Sequence, residues 1–218
     1  DTPTICNALE LVVPERRLFG YTTEHLFALA PDMAPVVGYA RTATLRAATA
    51  PAGDPEQVKA NRIGYYEYVA QGPGPTVVVI QDLDPVPGYG AFWGEVNTNV
   101  HKGLGVRGAV TNGSMRDLPD SAKGFQLLAG KVGPSHAHVH ITGMGGDVNI
   151  FGMHVKHGDI IHADQHGAVV IPPEAVARIP EAVDLIARRE AVVIKAAQSE
   201  GFDINKLKEA WGKQSDIH

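Results

Sequence analysis

The sequence predicts an α/β fold, and three features carry that expectation. The run Thr76 to Ile80 (TVVVI) is continuously β-branched or aliphatic, the pattern of a strand buried on both faces. A loop, a helix-like segment and a second strand follow it, so residues 76–111 read as a βαβ unit, normally a right-handed crossover. With 24 Gly and 15 Pro in 218 residues, turns are frequent and elements short, which favours many strands over a helical bundle.

Taken in order, Thr4 is a candidate cap for a first short helix carrying Ile5, Leu9 and Leu11, ended by Pro14. Leu26 to Leu29 reads as a further turn of helix. Val36 to Leu45 reads as a strand, with Val37, Tyr39, Arg41 and Ala43 on one face and Gly38, Ala40 and Thr42 on the other. Asp54-Pro55-Glu56 is a good helix start, a capping residue followed by Pro in the first turn. That helix would turn Val58, Ile63, Tyr66 and Val69 inward and end at Gly72-Pro73-Gly74-Pro75. Gln81-Asp82 closes the TVVVI strand, and Pro85 to Gly90 is rich in turn residues.

Ala91 to Lys102 reads as a helix with Gly94-Glu95 in its first turns. Backbone N–H groups at such a terminus suit a carboxylate or phosphate. The alternation Val106, Gly108, Val110 marks the next strand, which the turn signal Asn112-Gly113 stops. From Pro119 a short helix would carry Phe125, Leu127 and Leu128. The runs Val132 to Ile141, Val148 to Val155, Asp159 to His162 and Ala168 to Ile171, with turn signals between them, indicate an antiparallel sheet. Pro172-Pro173-Glu174 begins a C-terminal helical region that Pro180 restarts or kinks and Gly201 breaks. Ile179, Val183, Ile186, Val193 and Ile194 form its apolar stripe, and Ile204 to Trp211 a last amphipathic segment. The domain reading is a single α/β domain over 1–179 and a helical tail over 180–218. Phe202, Ile204, Leu207 and Trp211 give that tail more apolar surface than one domain edge would bury, which points to packing on a neighbouring subunit.

Composition narrows the function classes. A net charge of −5 argues against nucleic acid as a constitutive partner, because phosphate contacts require basic patches. The lone Cys6 excludes an intrachain disulfide framework and an all-cysteine zinc site. No apolar run reaches the ~20 residues of a membrane span, and DTPTICNALE lacks the charged-then-apolar pattern of a signal peptide. The expectation is a cytoplasmic protein without membrane association.

Three groups of residues are candidates for chemistry. Gly103, Gly105 and Gly108 spell GxGxxG, but that motif needs a strand before it and a helix after it, and here the order is reversed. His136, His138 and His140 alternate along a segment read as a strand and would then face one way, a spacing that can hold zinc. No carboxylate-rich motif lies beside them. A polar strand face or a subunit contact is the favoured reading, and the three are expected to be dispensable for catalysis. Arg116-Asp117 stands just past a strand end, where α/β proteins place their ligands. It is either a surface ion pair worth ~0–1 kcal/mol or the heart of a site. Asp117 with waters in the metal's shell would suit magnesium, and Arg116 would face an oxygen that becomes negative during reaction.

The runs A-F-W-G-E (91–95), G-V-R-G-A-V-T-N-G-S-M-R-D (105–117) and V-K-H-G-D-I-I-H-A-D-Q-H-G-A-V-V-I-P (155–172) resemble the RraA-like superfamily, with echoes at Ile5 to Leu9 and Val37 to Ala40. Gly-Glu followed about twenty residues later by Gly-x-x-Arg-Asp is its specific motif. The family includes class II pyruvate aldolases acting on 4-hydroxy-4-methyl-2-oxoglutarate and 4-carboxy-4-hydroxy-2-oxoadipate, and the regulator of ribonuclease activity A, which inhibits an RNA-degrading enzyme. The resemblance implies an α-β-β-α sandwich like the swivelling phosphohistidine domains, assembled as a trimer or hexamer with sites at subunit interfaces. It implies that Asp117 binds Mg²⁺ or Mn²⁺, that Arg116 contacts the pyruvyl oxygen, and that Glu95 organises water in the metal's shell. The amides of Val96 and Asn97 would hold a carboxylate. Glu200, in Q-S-E-G-F-D, matches the C-terminal glutamate that the aldolases send into a neighbour's site. Asn112 stands where the family commonly has Asp, so it enters the substrate-binding set with one charge fewer, and Glu95 replaces the Asp of the aldolases. The function so implied is metal-dependent retro-aldol cleavage of a 4-hydroxy-2-oxo acid releasing pyruvate, with oxaloacetate decarboxylation as a side activity. The alternative is a non-catalytic protein-binding regulator of the ribonuclease-inhibitor kind.

Overall fold

The computed structural model describes residues 1–218, which fall into two compact units. The first comprises Asp1–Thr2 and Phe19–Pro173, the second Pro3–Leu18 and Glu174–His218.

In the first unit most strands belong to one mixed sheet. In chain order they are β1 (Phe27–Ala28), β2 (Val36–Arg46), β3 (Thr76–Asp82), β4 (Ala91–Trp93), β5 (Val106–Met115), β6 (Gln126–Val132), β7 (His140–Met144), β10 (Ile160–Asp164) and β11 (Gly167–Ile171). The remaining pair, β8 (Val148–Ile150) and β9 (Met153–Val155), forms a separate antiparallel ribbon. The main sheet runs β1-β6-β5-β3-β2-β10-β11, with β4 on β5 and β7 on β2. Its centre is parallel, β2 with β3, β3 with β5 and β5 with β6, and its margins are antiparallel. The βαβ unit is present and the later strands pair antiparallel, but the expected run Val132 to Ile141 is broken, residues 133–139 being loop.

The TVVVI strand is buried on both faces, and its alternation divides two apolar clusters. Val78 and Ile80 pack with Tyr65, Trp93, Phe125 and Leu127, whereas Val77 and Val79 pack with Leu128, Ile150, Met153 and Ile161. A parallel strand at the centre of a sheet has to be apolar on both sides for this reason.

Helix α2 (Pro55–Ala70) starts as expected, with the Asp54 carboxylate accepting the N–H of Glu56. It buries Tyr65 and Val69, however, and leaves Ile63 51% exposed. Helix α3 covers Glu95–Gly103 only. Ala91 to Trp93, expected as its first turn, form β4, because three buried apolar residues pair in parallel with the end of β5. Likewise Leu26 to Leu29 supplies β1 rather than a helix, and Gln126 to Val132 pairs along β5 rather than forming the helix expected from Pro119. Leu127 and Leu128 both find apolar cover on opposite faces of the sheet, which a strand permits and a surface helix would not.

Strand β5 departs from its sequence reading at both ends. The pairing with β3 slips between Thr76 and Val77, where Arg107 is the extra residue, so Val106 and Val110 lie in opposite clusters rather than on one face. Asn112-Gly113 does not end the strand. The pairing with β6 is interrupted between Thr111 and Ser114, and the strand continues to Met115. The turn signal marks a bulge, and that bulge sets where the strand finally releases the chain.

The second unit is helical. It holds most of α1 (Thr2–Val12), then α4 (Ile179–Ala197) and α5 (Ile204–Ser215). Gly201 breaks the last two at φ 62, and Asp203 caps α5 by accepting the N–H groups of Asn205 and Lys206. No helix is long and apolar enough to cross a membrane.

Candidate active site

Strand β5 ends at Met115 and hands the chain to Arg116 and Asp117. The Arg116 N–H donates to the Trp93 carbonyl at 2.9 Å, which ties this exit to β4. Asp117 then adopts φ 51, the left-handed region that costs a residue other than glycine about 1–3 kcal/mol. Its own carbonyl accepts from the N–H groups of Asp120 and Ser121 and from Ser121 Oγ, and these bonds hold the conformation. The carboxylate is thereby turned back toward the start of α3. Its Oδ2 lies 3.3 Å from Arg116 Nε and accepts the Glu95 N–H at 3.3 Å. The ion pair is not buried, its side chains being 34% and 38% exposed, so it contributes little stability by itself.

Gly94 makes this approach possible. A Cβ there would sit 2.5 Å from Asp117 Oδ2 and 3.2 Å from Arg116 Cγ. As the N-cap of α3 it also brings no side chain to the helix terminus. The first helical bond runs from the Thr98 N–H to the Gly94 carbonyl, so the N–H groups of Val96 and Asn97 are left as donors at the terminus. Asn97's side chain is spent elsewhere, accepting from Tyr66 Oη and donating to the Phe92 carbonyl. Only its backbone is available to a ligand.

On the inner face of α3, His101 is fully buried. Its Nδ1 meets the Asn97 carbonyl at 2.6 Å and its Nε2 the Tyr65 hydroxyl at 2.7 Å. Burial lowers its pKa from 6.5 to about 4, against a smaller opposing effect of the hydrogen bond to Asn97. A neutral ring therefore anchors the helix. Thr98 Oγ1 completes the frame, donating to the Gly94 carbonyl and accepting the Ala122 N–H, each at 2.9 Å.

Gly94, Val96, Asn97, Arg116 and Asp117 line a cavity of about 450 Å³. Val58 and Arg62, one turn apart on α2, and residues 136–141 also line it. The three histidines thus sit in the same cavity as the Arg-Asp pair. Only His140 belongs to a strand. Ala137 turns at φ 46, so His136 and His138 lie in a loop and the assumed alternation fails. Sequence spacing carries no signal for this, nor for Arg62, because the wall is assembled from distant segments. Asp117 is the one carboxylate among two arginines and three imidazoles, a lining that favours an anionic ligand.

Two expected residues are placed differently. Asn112 is buried within β5 and lies outside the cavity lining; its amide donates to the Asp82 carbonyl at 3.0 Å and accepts the Asp82 N–H at 2.7 Å. Glu200 is exposed in the second unit, between α4 and α5, where its carbonyl accepts from Lys206 Nζ. Glu95 is exposed and is not part of the lining.

No group of three His, Cys, Asp or Glu side chains is arranged to hold a metal. A single carboxylate open to solvent fits a hard cation that takes few protein ligands and keeps water and substrate oxygens in its shell. It does not supply the several N, S or O ligands of a zinc centre.

The RraA-like family (Aldolase/RraA) matches residues 2–170. No curated protein sequence matches the chain. Among solved structures, an uncharacterized protein from Pseudomonas syringae pv. tomato str. DC3000 aligns with TM-score 0.72 at 20% identity, over 98% of this chain and 89% of that one. RraAS2 of Streptomyces coelicolor, described as an unusual member of the RNase ES inhibitor RraA protein family, aligns with TM-score 0.62 at 24% identity, over 90% and 91%. The RNA-processing inhibitor RraA from Thermus thermophilis gives 0.57 at 18%, over 77% and 92%. These likenesses concern the fold, while the sequence match decides the family. With that match spanning residues 2–170 of 218, the chain belongs to the RraA-like family.

Proposed function

We propose that this protein is a divalent-metal-dependent lyase that cleaves a 4-hydroxy-2-oxo acid to release pyruvate, with oxaloacetate decarboxylation through the same enolate. The observation that carries the reading is the convergence of Asp117, Arg116 and the start of α3, with the N–H groups of Val96 and Asn97, on one cavity. Asp117 would hold Mg²⁺ or Mn²⁺, which when bound polarises the 2-oxo group and neutralises the developing enolate. Arg116, beside it, offers N–H donors to the same oxygen as it becomes negative. The N–H groups of Val96 and Asn97 orient the substrate carboxylate at the helix terminus. Asn112 enters this reading as a residue that shapes the strand end rather than one that touches substrate.

The C4-hydroxyl proton also needs an acceptor. The resemblance offers water ordered by Glu95 and the C-terminal Glu200 of a neighbouring subunit, which would make the active form a trimer or hexamer. The α-β-β-α architecture and a cytoplasmic location belong to the same proposal. The inhibitor names of two structural relatives keep a non-catalytic, protein-binding role as the alternative. Pyruvate release from 4-hydroxy-4-methyl-2-oxoglutarate, assayed with and without metal, separates the two: a catalyst releases it in a metal-dependent manner and a regulator does not.

A further inference from the structure

Retro-aldol cleavage cannot proceed until the C4-hydroxyl proton has somewhere to go, and the cavity's own wall carries groups arranged to take it. Nδ1 of His136 lies 2.7 Å from the Ala137 carbonyl, and Nδ1 of His140 lies 2.7 Å from the His138 carbonyl. A carbonyl oxygen only accepts, so both Nδ1 atoms carry hydrogen. In the neutral rings Nε2 is then the bare acceptor. Neither ring takes part in an ion pair with a carboxylate, and each Nε2 is left for a ligand.

The wall is held in place. The Ala91 N–H donates to the Ser135 carbonyl at 2.8 Å, the His138 N–H to the Ala47 carbonyl at 3.1 Å, and the Ala137 N–H to Ser135 Oγ at 3.0 Å. Gly90 has no room for a Cβ, which would collide with the His136 carbonyl. The segment is thereby fastened to β4, whose far end leads into Gly94. His140 is half-buried and begins β7, where it pairs with Arg46 of β2, whereas His136 is exposed in the loop. A base mounted on a strand is the better positioned of the two.

We propose that this imidazole wall, with His140 as its principal member, is the proton acceptor of the cleavage reaction. The assignment rests on the lyase reading above. The C4 O–H proton passes to Nε2, and the electron pair of that bond forms the new C4=O. The C3–C4 pair moves into the enolate over C3, C2 and the C2 oxygen beside Arg116. The imidazolium then returns the proton to C3, giving pyruvate and the second carbonyl product, with no oxidant or reductant consumed. One subunit would then carry the whole acid–base cycle, and the substrate class is a 2-oxo acid with a free hydroxyl at C4.

The test compares two reactions in the same variants with Mn²⁺ present. Cleavage of 4-hydroxy-4-methyl-2-oxoglutarate requires removal of a hydroxyl proton, whereas oxaloacetate decarboxylation reaches the same enolate without one. In His140→Gln, and in His136→Gln/His140→Gln, kcat for cleavage should fall about 10²-fold or more, the scale of a lost general base. Decarboxylation never protonates Nε2, and its enolate takes the C3 proton from water, so it should stay within about threefold of wild type, under ~0.7 kcal/mol of barrier, which also shows that the variants fold. The proposal is overturned by cleavage that stays within threefold, by equal loss of both reactions, or by a raised KM at unchanged kcat. It is also overturned if Glu200→Gln abolishes cleavage that His140→Gln retains. A wild-type protein inactive on both probes would remove the lyase reading itself, and with it this assignment.

Discussion

Gly94 and Asp117 are packed so closely that a Cβ on the first would lie 2.5 Å from the carboxylate oxygen of the second. The glycine is 23 residues upstream, yet it fixes where the carboxylate can stand, because Asp117 leans back from a left-handed turn onto the start of α3. Gly94→Ala should therefore push the carboxylate aside while leaving the sheet intact. A displacement of about 1 Å costs ~10²-fold in rate, and thermal melting should change little. Wild-type kinetics in a folded Gly94→Ala protein would show that this contact does not position the site.

Arg116→Lys keeps the charge but loses the planar fork of donors. With the side chain partly exposed, stability should hardly move. Loss of one transition-state oxyanion donor predicts a fall in kcat of about 10²-fold or more. A lysine variant with undiminished kcat would mean that a point charge suffices there.

Asn112→Asp restores the residue common in the family at this position, and here it should harm the protein. Asn112 gives one hydrogen bond and takes one from the Asp82 backbone. The substitution turns the donor into an oxygen facing a carbonyl, close to the Asp82 carboxyl that burial already pushes up. Urea denaturation should show a loss of about 1–3 kcal/mol, the penalty for a buried group left unpaired. An unchanged midpoint would contradict the pairing described.

Acid should loosen the anchor of α3. Burial lowers the pKa of His101 from 6.5 to about 4, so the folded protein resists a proton that the unfolded chain accepts. That contribution to stability is present above pH 6.5 and is lost as the pH falls through the interval from 6.5 to 4. Its size is on the order of 3 kcal/mol. Urea-unfolding free energies measured across this window should fall less steeply in His101→Gln than in wild type, and parallel slopes would sink the argument.

How much of this was legible in the sequence depended on distance along the chain. Local signals were reliable: Asp54-Pro55 starts α2, the β-branched run is the central strand, and Gly201 breaks the tail. Arg116-Asp117 could be found because a strand end places it at a ligand position. Ala91 to Trp93 and Leu127-Leu128 were misread because short apolar runs take their conformation from what they pair with, here β5. Asn112-Gly113 looked like a turn because its composition suits one, but Asp82 supplies partners that convert it to a bulge within the strand. The expected alternation of the histidines along one strand fails for a similar reason. Ala137 breaks the alternation, and the carbonyls that fix their tautomers become apparent only once the loop is folded.

The most direct test of the central claim follows pyruvate released from 4-hydroxy-4-methyl-2-oxoglutarate by the wild-type chain and by Asp117→Ala. Each is assayed with Mg²⁺ or Mn²⁺ and again after chelation. Wild type is expected to turn over only with the metal, and a folded Asp117→Ala not at all under any condition. Metal-independent release, or full activity in Asp117→Ala, would contradict it.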